Sequence, residues 1–340
     1  MFKRLLFIIF TFFISTVLLM SYANPAQAGP GGWVPKQPIK MIVPWPAGGG
    51  TDLYARIVAP HWKKYLPGDQ PIVIVNKSGG GGVIGTTDVY NAKPNGYTIG
   101  LTILNAMILN QLTSEVKFDM RKFEILGGPS LYTRTVYANP KSVPDVKTWK
   151  DVLSKIHELR IATYGFGSTA HVAPLFVGTV SKLFDPSKLH FVHYKGTAGV
   201  VAGFQRGDAE IYFGAVEAHD KYAKQGLFRT ILILDDERNK MIPDIPTAVE
   251  AGIPGAQEIN SAFYDPKAFI APPGTPKNIL DTYAEALMKA LKDPACLADA
   301  EKAKSPMEII PREKLLKFIP QAMETWSKQK EILKLIKGGA

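Results

Sequence analysis

The chain has 340 residues, a formal net charge of +10 and a single cysteine. Its basic residues are interleaved with acidic ones and no RNP, zinc-finger or arginine-rich pattern occurs, so the charge reads as solubility and mild attraction of anions, not as a nucleic-acid footprint. Cys296 has no partner, which excludes disulfides and cysteine zinc sites within one chain, and its setting in Asp293-Pro294-Ala295-Cys296-Leu297 is that of a small packed residue at a helix start.

Residues 1–28 predict a signal peptide. Lys3 and Arg4 form a positive start, Leu5 to Met20 an apolar core, and Ala26-Gln27-Ala28 a small-x-small cleavage site. The Pro25 break and the cleavage site favour export with removal over a membrane anchor, and no cysteine stands near the cut for a lipid. The remainder is long enough for two domains of ordinary size.

Ile39 to Tyr65 reads as strand, glycine loop, helix. Ile39–Val43 is apolar and β-branched, Pro44-Trp45-Pro46-Ala47-Gly48-Gly49-Gly50 breaks it, and Thr51-Asp52 opens a helical pattern with Leu53, Ile57, Val58 and Trp62 on one side. A glycine loop leaves backbone N–H groups uncovered, and the helix behind it adds free N–H groups and about half a positive charge, so the unit makes an anion site without a basic side chain. The other reading is a tight turn with Thr51 or Asp52 as N-cap. A second copy favours the anion site: the strand-like Pro71–Val75 runs into Asn76-Lys77-Ser78-Gly79-Gly80-Gly81-Gly82-Val83-Ile84-Gly85 and another helix.

Further units follow in order. Asn95-Gly96 turns into a strand through Leu101, and a short helix lies around Met107 to Leu112. Leu131 to Ala138 is a long strand-like run ending at Asn139-Pro140, where the chain is expected to leave the first domain. Trp149–Leu159 reads as a helix and Arg160–Thr163 as a strand. Tyr164-Gly165-Phe166-Gly167-Ser168-Thr169 is then a glycine loop before the helix of His171 to Leu183. His190–Tyr194 is a strand, Lys195-Gly196-Thr197-Ala198-Gly199 a loop before a helix, and Glu210–Phe213 and Arg229–Leu234 are strands. Ser261–Ala271 is expected to return as a strand to the first domain, and residues 278–336 are helical. The fold class is α/β with two lobes, each a mostly parallel sheet flanked by helices, joined by two crossings. The predicted division is 29–135 plus 262–340 for the first lobe and 136–261 for the second. Loops at the strand C-termini of each lobe then face one cleft.

Several motifs in order resemble the extracytoplasmic substrate-binding proteins of tripartite tricarboxylate transporters, the Bug or TctC family. They are Gln37-Pro38-Ile39 into Ile42-Val43-Pro44, Gly48 to Asp52, Gly79, Gly82 and Gly85, Pro94 to Thr98, Tyr164-Gly165, His171, Tyr194 to Thr197, Gly207-Asp208, Pro243 to Thr247, Glu250-Ala251-Gly252 and Ala271 to Pro276. The resemblance implies a monomeric periplasmic binding protein of type II-like fold, without cofactor, metal or enzymatic activity. It closes on a small carboxylate and delivers it to membrane transporter subunits. Carried over, the ligand-binding residues are Ala47, Gly49 and Thr51 in loop one; Ser78, Gly80, Gly81 and Val83 in loop two; and Gly167, Ser168 and Thr197 in the second lobe. Trp45, Phe166 and Glu217 depart from the family's pattern and stand where the distal part of a ligand lies.

Three other chemistries fit less well. Ser168 and His171 suggest a secreted hydrolase, but no Gly-x-Ser-x-Gly elbow or third member accompanies them. Glu217, His219 and Asp220 lack the i, i+4 spacing of helical metal ligands. Lys77 precedes its glycines, so loop two is not a P-loop.

Overall fold

The computed structural model describes residues 32–338; the predicted signal peptide lies outside them. The apolar runs form two five-stranded sheets. The first is built from β1 (Ile39–Val43), β2 (Ile72–Asn76), β3 (Thr98–Ile103), β4 (Glu124–Tyr132) and β10 (Asp265–Ala271), in the order β2-β1-β3-β10-β4. The second contains β5 (Arg134–Ala138), β6 (Arg160–Thr163), β7 (His190–His193), β8 (Ile211–Ala215) and β9 (Arg229–Leu234), in the order β7-β6-β8-β5-β9. In each sheet the strands that begin strand-loop-helix units pair in parallel, while the strands next to the crossings, β10 and β5, pair antiparallel on both sides. The sheets are therefore mixed, because a strand that enters a sheet from the crossing side runs opposite to strands whose C-termini point at that side.

The run Leu131–Ala138 is not one strand. It changes sheets at Thr133, between β4 and β5. The return is shorter than expected too: Ala256–Ala262 is a helix, α8, and β10 starts only at Asp265.

The helices alternate with these strands. α1 (Gly50–Tyr65), α2 (Val83–Tyr90) and α3 (Leu104–Thr113) belong to the first lobe; α4 (Trp149–Lys155), α5 (Thr169–Ser181), α6 (Gly196–Arg206) and α7 (Val216–Lys224) to the second; α9 (Lys277–Lys292), α10 (Pro294–Lys302), α11 (Arg312–Lys328) and α12 (Lys330–Gly338) close the chain. The helical spacing in α1 does most of what the sequence implies: Ile57, Val58 and Trp62 are buried, with Trp62 packed edge-on to Phe269 and Tyr283, whereas Leu53 is half-buried and its neighbour Tyr54 faces the core. Burial of such a side chain stabilises the fold by about 1.5–3 kcal/mol. α9 and α10 pack on α1, and α11 on α3 and β4, whereas α12 lies against both α3 and the second-lobe helix α5. Trp326 of α11 packs on Phe176 and Phe263 and donates its indole N–H to Asn105 (2.7 Å). Asn105 in turn donates to the carbonyls of Ala262 and Tyr264, so the back of the return crossing is tied to α3.

Candidate functional site

The C-terminal ends of β1 and β2 in one sheet and of β6 and β7 in the other carry four glycine loops. Loop one is held from behind by Asp52, which is 1% exposed. Its carboxylate accepts from Gly48 N–H (2.8 Å), Arg56 Nε (2.8 Å) and Asn76 Nδ2 (2.9 Å). Burial alone raises the Asp52 pKa, but these hydrogen bonds outweigh it and hold the carboxyl below the usual aspartate range. Asn76 also donates to Trp45 O (3.0 Å), so one buried carboxylate anchors the bases of loops one and two together.

This anchoring moves the free donors of loop one. Gly48 N–H goes to Asp52 and Gly49 N–H to Pro46 O (3.3 Å), leaving Gly50, Thr51 and Asp52 as the first-turn amides without an intrahelical acceptor. Thr51 is buried beneath the loop, Ala47 is exposed, and Trp45 is half-buried with its ring edge against Gly82. A side chain at Gly50 would strike the Tyr132 hydroxyl, since an added Cβ would lie 2.4 Å from it.

Loop two is more open. Gly79 to Gly82 all have positive φ (140°, 56°, 62° and 101°), a run that L side chains rarely adopt and that leaves the backbone uncovered. Gly82 N–H and Ile84 N–H return to Gly79 O, whereas Ser78, Gly80 and Gly81 amides have no acceptor among the described residues. Ser78, Gly80 and Gly81 are exposed and Val83 is half-buried.

In the second lobe Gly167 N–H donates to His171 Nδ1 (3.2 Å), and Ser168, 7% exposed, sits at the N-terminus of α5 with an Oγ that has no hydrogen-bond partner. Phe166 projects from this loop, 40% exposed, its ring 4.8 Å from that of His171 and 5.8 Å from that of His193. Thr197 is half-buried in the first turn of α6. Asn110, at the end of α3, joins the two lobes' loops. It donates to Gly81 O (3.4 Å), and its Oδ1 lies 3.9 Å from where a Cβ on Gly167 would be. The sequence reading passed over Asn110, although two adjacent amides, Asn110 and Gln111, in the otherwise apolar run Met107–Leu112 were a signal.

Glu217 lies elsewhere. It is half-buried in the first turn of α7 and accepts from Thr133 N–H at the crossing with both oxygens (3.2 Å each). The structure thus brings loops two and three to Asn110, sets Trp45 of loop one against Gly82, puts loop four on the strand beside loop three, and places Glu217 at the crossing. Ser168 and His171 form no dyad: the Ser168 hydroxyl is unbonded, and burial, with His193 beside it, lowers the His171 pKa to about 4. Among the described residues no group of three or more His, Cys, Asp or Glu is arranged for a metal.

The sequence profile described as "Tripartite tricarboxylate transporter family receptor" matches residues 54–336. The chain belongs to that family. The receptor is 28% identical over 302 residues to protein BugT of Bordetella pertussis, covering 86% of this chain and 88% of BugT. Its fold matches the periplasmic binding protein BugD with a TM-score of 0.72 at 25% identity, over 86% of this chain and 98% of that one. It also matches MatC from Rhodopseudomonas palustris, solved with bound malate, with a TM-score of 0.73 at 23% identity, over 88% and 99% of the two chains.

Proposed function

We propose that the receptor captures a small carboxylate between its lobes outside the cytoplasm and hands it to the membrane subunits of a tripartite tricarboxylate-type transporter, acting as a monomer and turning nothing over. The moving bodies are 32–132 plus 265–338 and 134–262, a shift of a few residues from the division expected from sequence, with hinge points at Thr133 and at Phe263-Tyr264. The observation that carries this reading is the set of unpaired amides and hydroxyls at Gly50, Thr51, Ser78, Gly80 and Gly81 in one lobe and Ser168 and Thr197 in the other. Neutral donors that converge on one anion make charge-assisted hydrogen bonds, and each lobe supplies only part of the shell. Malate in MatC is consistent with a ligand of this chemistry.

The hydrolase alternative has less support, because a histidine held near pKa 4 and bonded to Gly167 is a poor base for Ser168 at neutral pH. A thermal-shift screen of the mature protein against mono-, di- and tricarboxylates, with the matching amides as controls, tests the proposal. A carboxylate should raise the melting temperature and be recovered unchanged. Stabilisation by the amides alone, or consumption of the ligand, would refute it.

A further inference from the structure

We propose that Glu217 and Arg134 of the second lobe and Lys267 and Asp265 of the first form an ionic clamp on the hinge that fixes the angle between the lobes, so that Glu217 acts as a positioning residue rather than a ligand contact. The inference rests on the two-lobed receptor reading. Its basis is that three consecutive residues of the first crossing are each gripped by a charged side chain. Lys267 Nζ stands 3.1 Å from the centroid of the Tyr132 ring, Glu217 takes the Thr133 N–H, and Arg134 Nη2 is 2.9 Å from Asp265 Oδ2.

These groups come from different bodies. Arg134 opens β5 and Glu217 opens α7 in the second lobe, whereas Asp265 and Lys267 lie on β10 of the first sheet. Arg134, Asp265 and Lys267 are 2%, 1% and 0% exposed. Lys267 donates to Ser130 Oγ (3.0 Å) and also faces the Tyr54 ring, while Arg134 donates to Thr169 Oγ1 (2.8 Å), beside Ser168. The clamp therefore touches both sides of the cleft from below. Burial pushes Lys267 down to about 7, with Glu217 and Asp265 pulling against it, and raises Glu217 and Asp265.

Charges cost free energy to bury, and a well-packed apolar set would fill the same volume at no loss of stability. What an apolar set lacks is a preferred angle. Rotation about Thr133 and Tyr264 separates Arg134 from Asp265, which leaves two charges unpaired in a dry site, and it strains the contacts of Thr133 with Glu217 and of Tyr132 with Lys267. A hinge so built holds few angles instead of a continuum.

The test measures the free protein and needs no ligand. Spin labels at Lys93→Cys in the first lobe and Lys188→Cys in the second report the interlobe distance, with Cys296 buried and left in place. The otherwise unaltered chain should give one narrow distance, lost in Glu217→Gln and in Lys267→Met. The double variant should be broader than either single, since Glu217 holds Thr133 and Lys267 holds the neighbouring Tyr132 by separate contacts. Glu217→Asp, which keeps the charge, should stay nearer the starting distribution. If Lys267→Met does not fold, Glu217→Gln decides alone. A folded Glu217→Gln protein with the starting distribution, or a starting distribution already as broad as the variants, would overturn the clamp. Failure of every carboxylate to bind would instead overturn the receptor reading and leave these distances interpretable.

Discussion

Replacing Asp52 by alanine should destabilise the receptor well beyond a surface substitution. The carboxylate accepts three hydrogen bonds, from Gly48 N–H, Arg56 and Asn76. Hydrogen bonds to a charged group contribute about 1.5–3 kcal/mol each. The Arg56 side chain is 52% exposed, so its pair with Asp52 counts for about 0–1 kcal/mol. Water reaches Gly48 once the partner is gone, which trims its share, so the expected loss for Asp52→Ala is about 2–4 kcal/mol. Urea unfolding at neutral pH measures it. The difference should shrink in acid: the folded pKa of Asp52 lies below its ordinary 3.8, so its contribution is present above 3.8 and disappears as pH falls through the folded value. A loss under about 1 kcal/mol, or one that persists unchanged in strong acid, would refute the idea that this carboxylate holds the loops.

Thr197→Val, assayed by titration calorimetry with the best carboxylate from the screen, should weaken binding by roughly tenfold to a hundredfold through loss of one hydroxyl donor to an anion. Gly81→Val should nearly abolish it, since φ is +62°, a conformation in which a β-branched residue is strained, and relaxing it would move the loop's free amides. Lys77→Met should cost little, because Lys77 pairs with Asp88 and is half exposed; if it abolishes binding while Gly81→Val does not, a direct ion pair holds the ligand. Burial holds His171 and His219 near pKa 4 against an ordinary 6.5. The unfolded chain therefore takes up those protons first, and stability should fall by about 3 kcal/mol per histidine as pH drops from 6.5 to 4, then level off. In urea melts across that range, His219→Phe should flatten the slope by one histidine's share, and an unchanged slope would refute the assignment.

The strand-loop-helix units were legible because their signals are local. A β-branched run, then glycines, then a helical period survives without knowledge of what packs where, and all four loops stand where the runs ended. The crossings were less legible. Leu131 to Ala138 has an unbroken strand composition, and only pairing partners reveal that Tyr132 belongs with Asp265 and Arg134 with Ala215 and Leu234. Gly49 misled for a related reason. Whether a loop amide is free depends on a turn to Pro46 that no residue type announces. Glu217 was placed by analogy with ligand-facing positions, yet its helix starts where the chain changes sheets. The signal available in the sequence was the pair of charges, Asp265 and Lys267, in a returning strand that is apolar from Ala268 to Ala271.

The position of β10 sets an order of assembly. The second sheet is made from one continuous stretch of chain, Arg134 to Leu234, and has all its strands once that stretch is synthesised. The first sheet has a gap between β3 and β4 until Asp265–Ala271 arrives from the far side of the second lobe. Nascent chain that ends before residue 265 thus presents two unpaired strand edges where the finished protein has none, and closing them requires contacts of long sequence separation, which form late. Folding of the whole molecule therefore waits on a seven-residue insertion, and the stretch most exposed to mispairing in the interval is the apolar, glycine-containing face of β3 and β4.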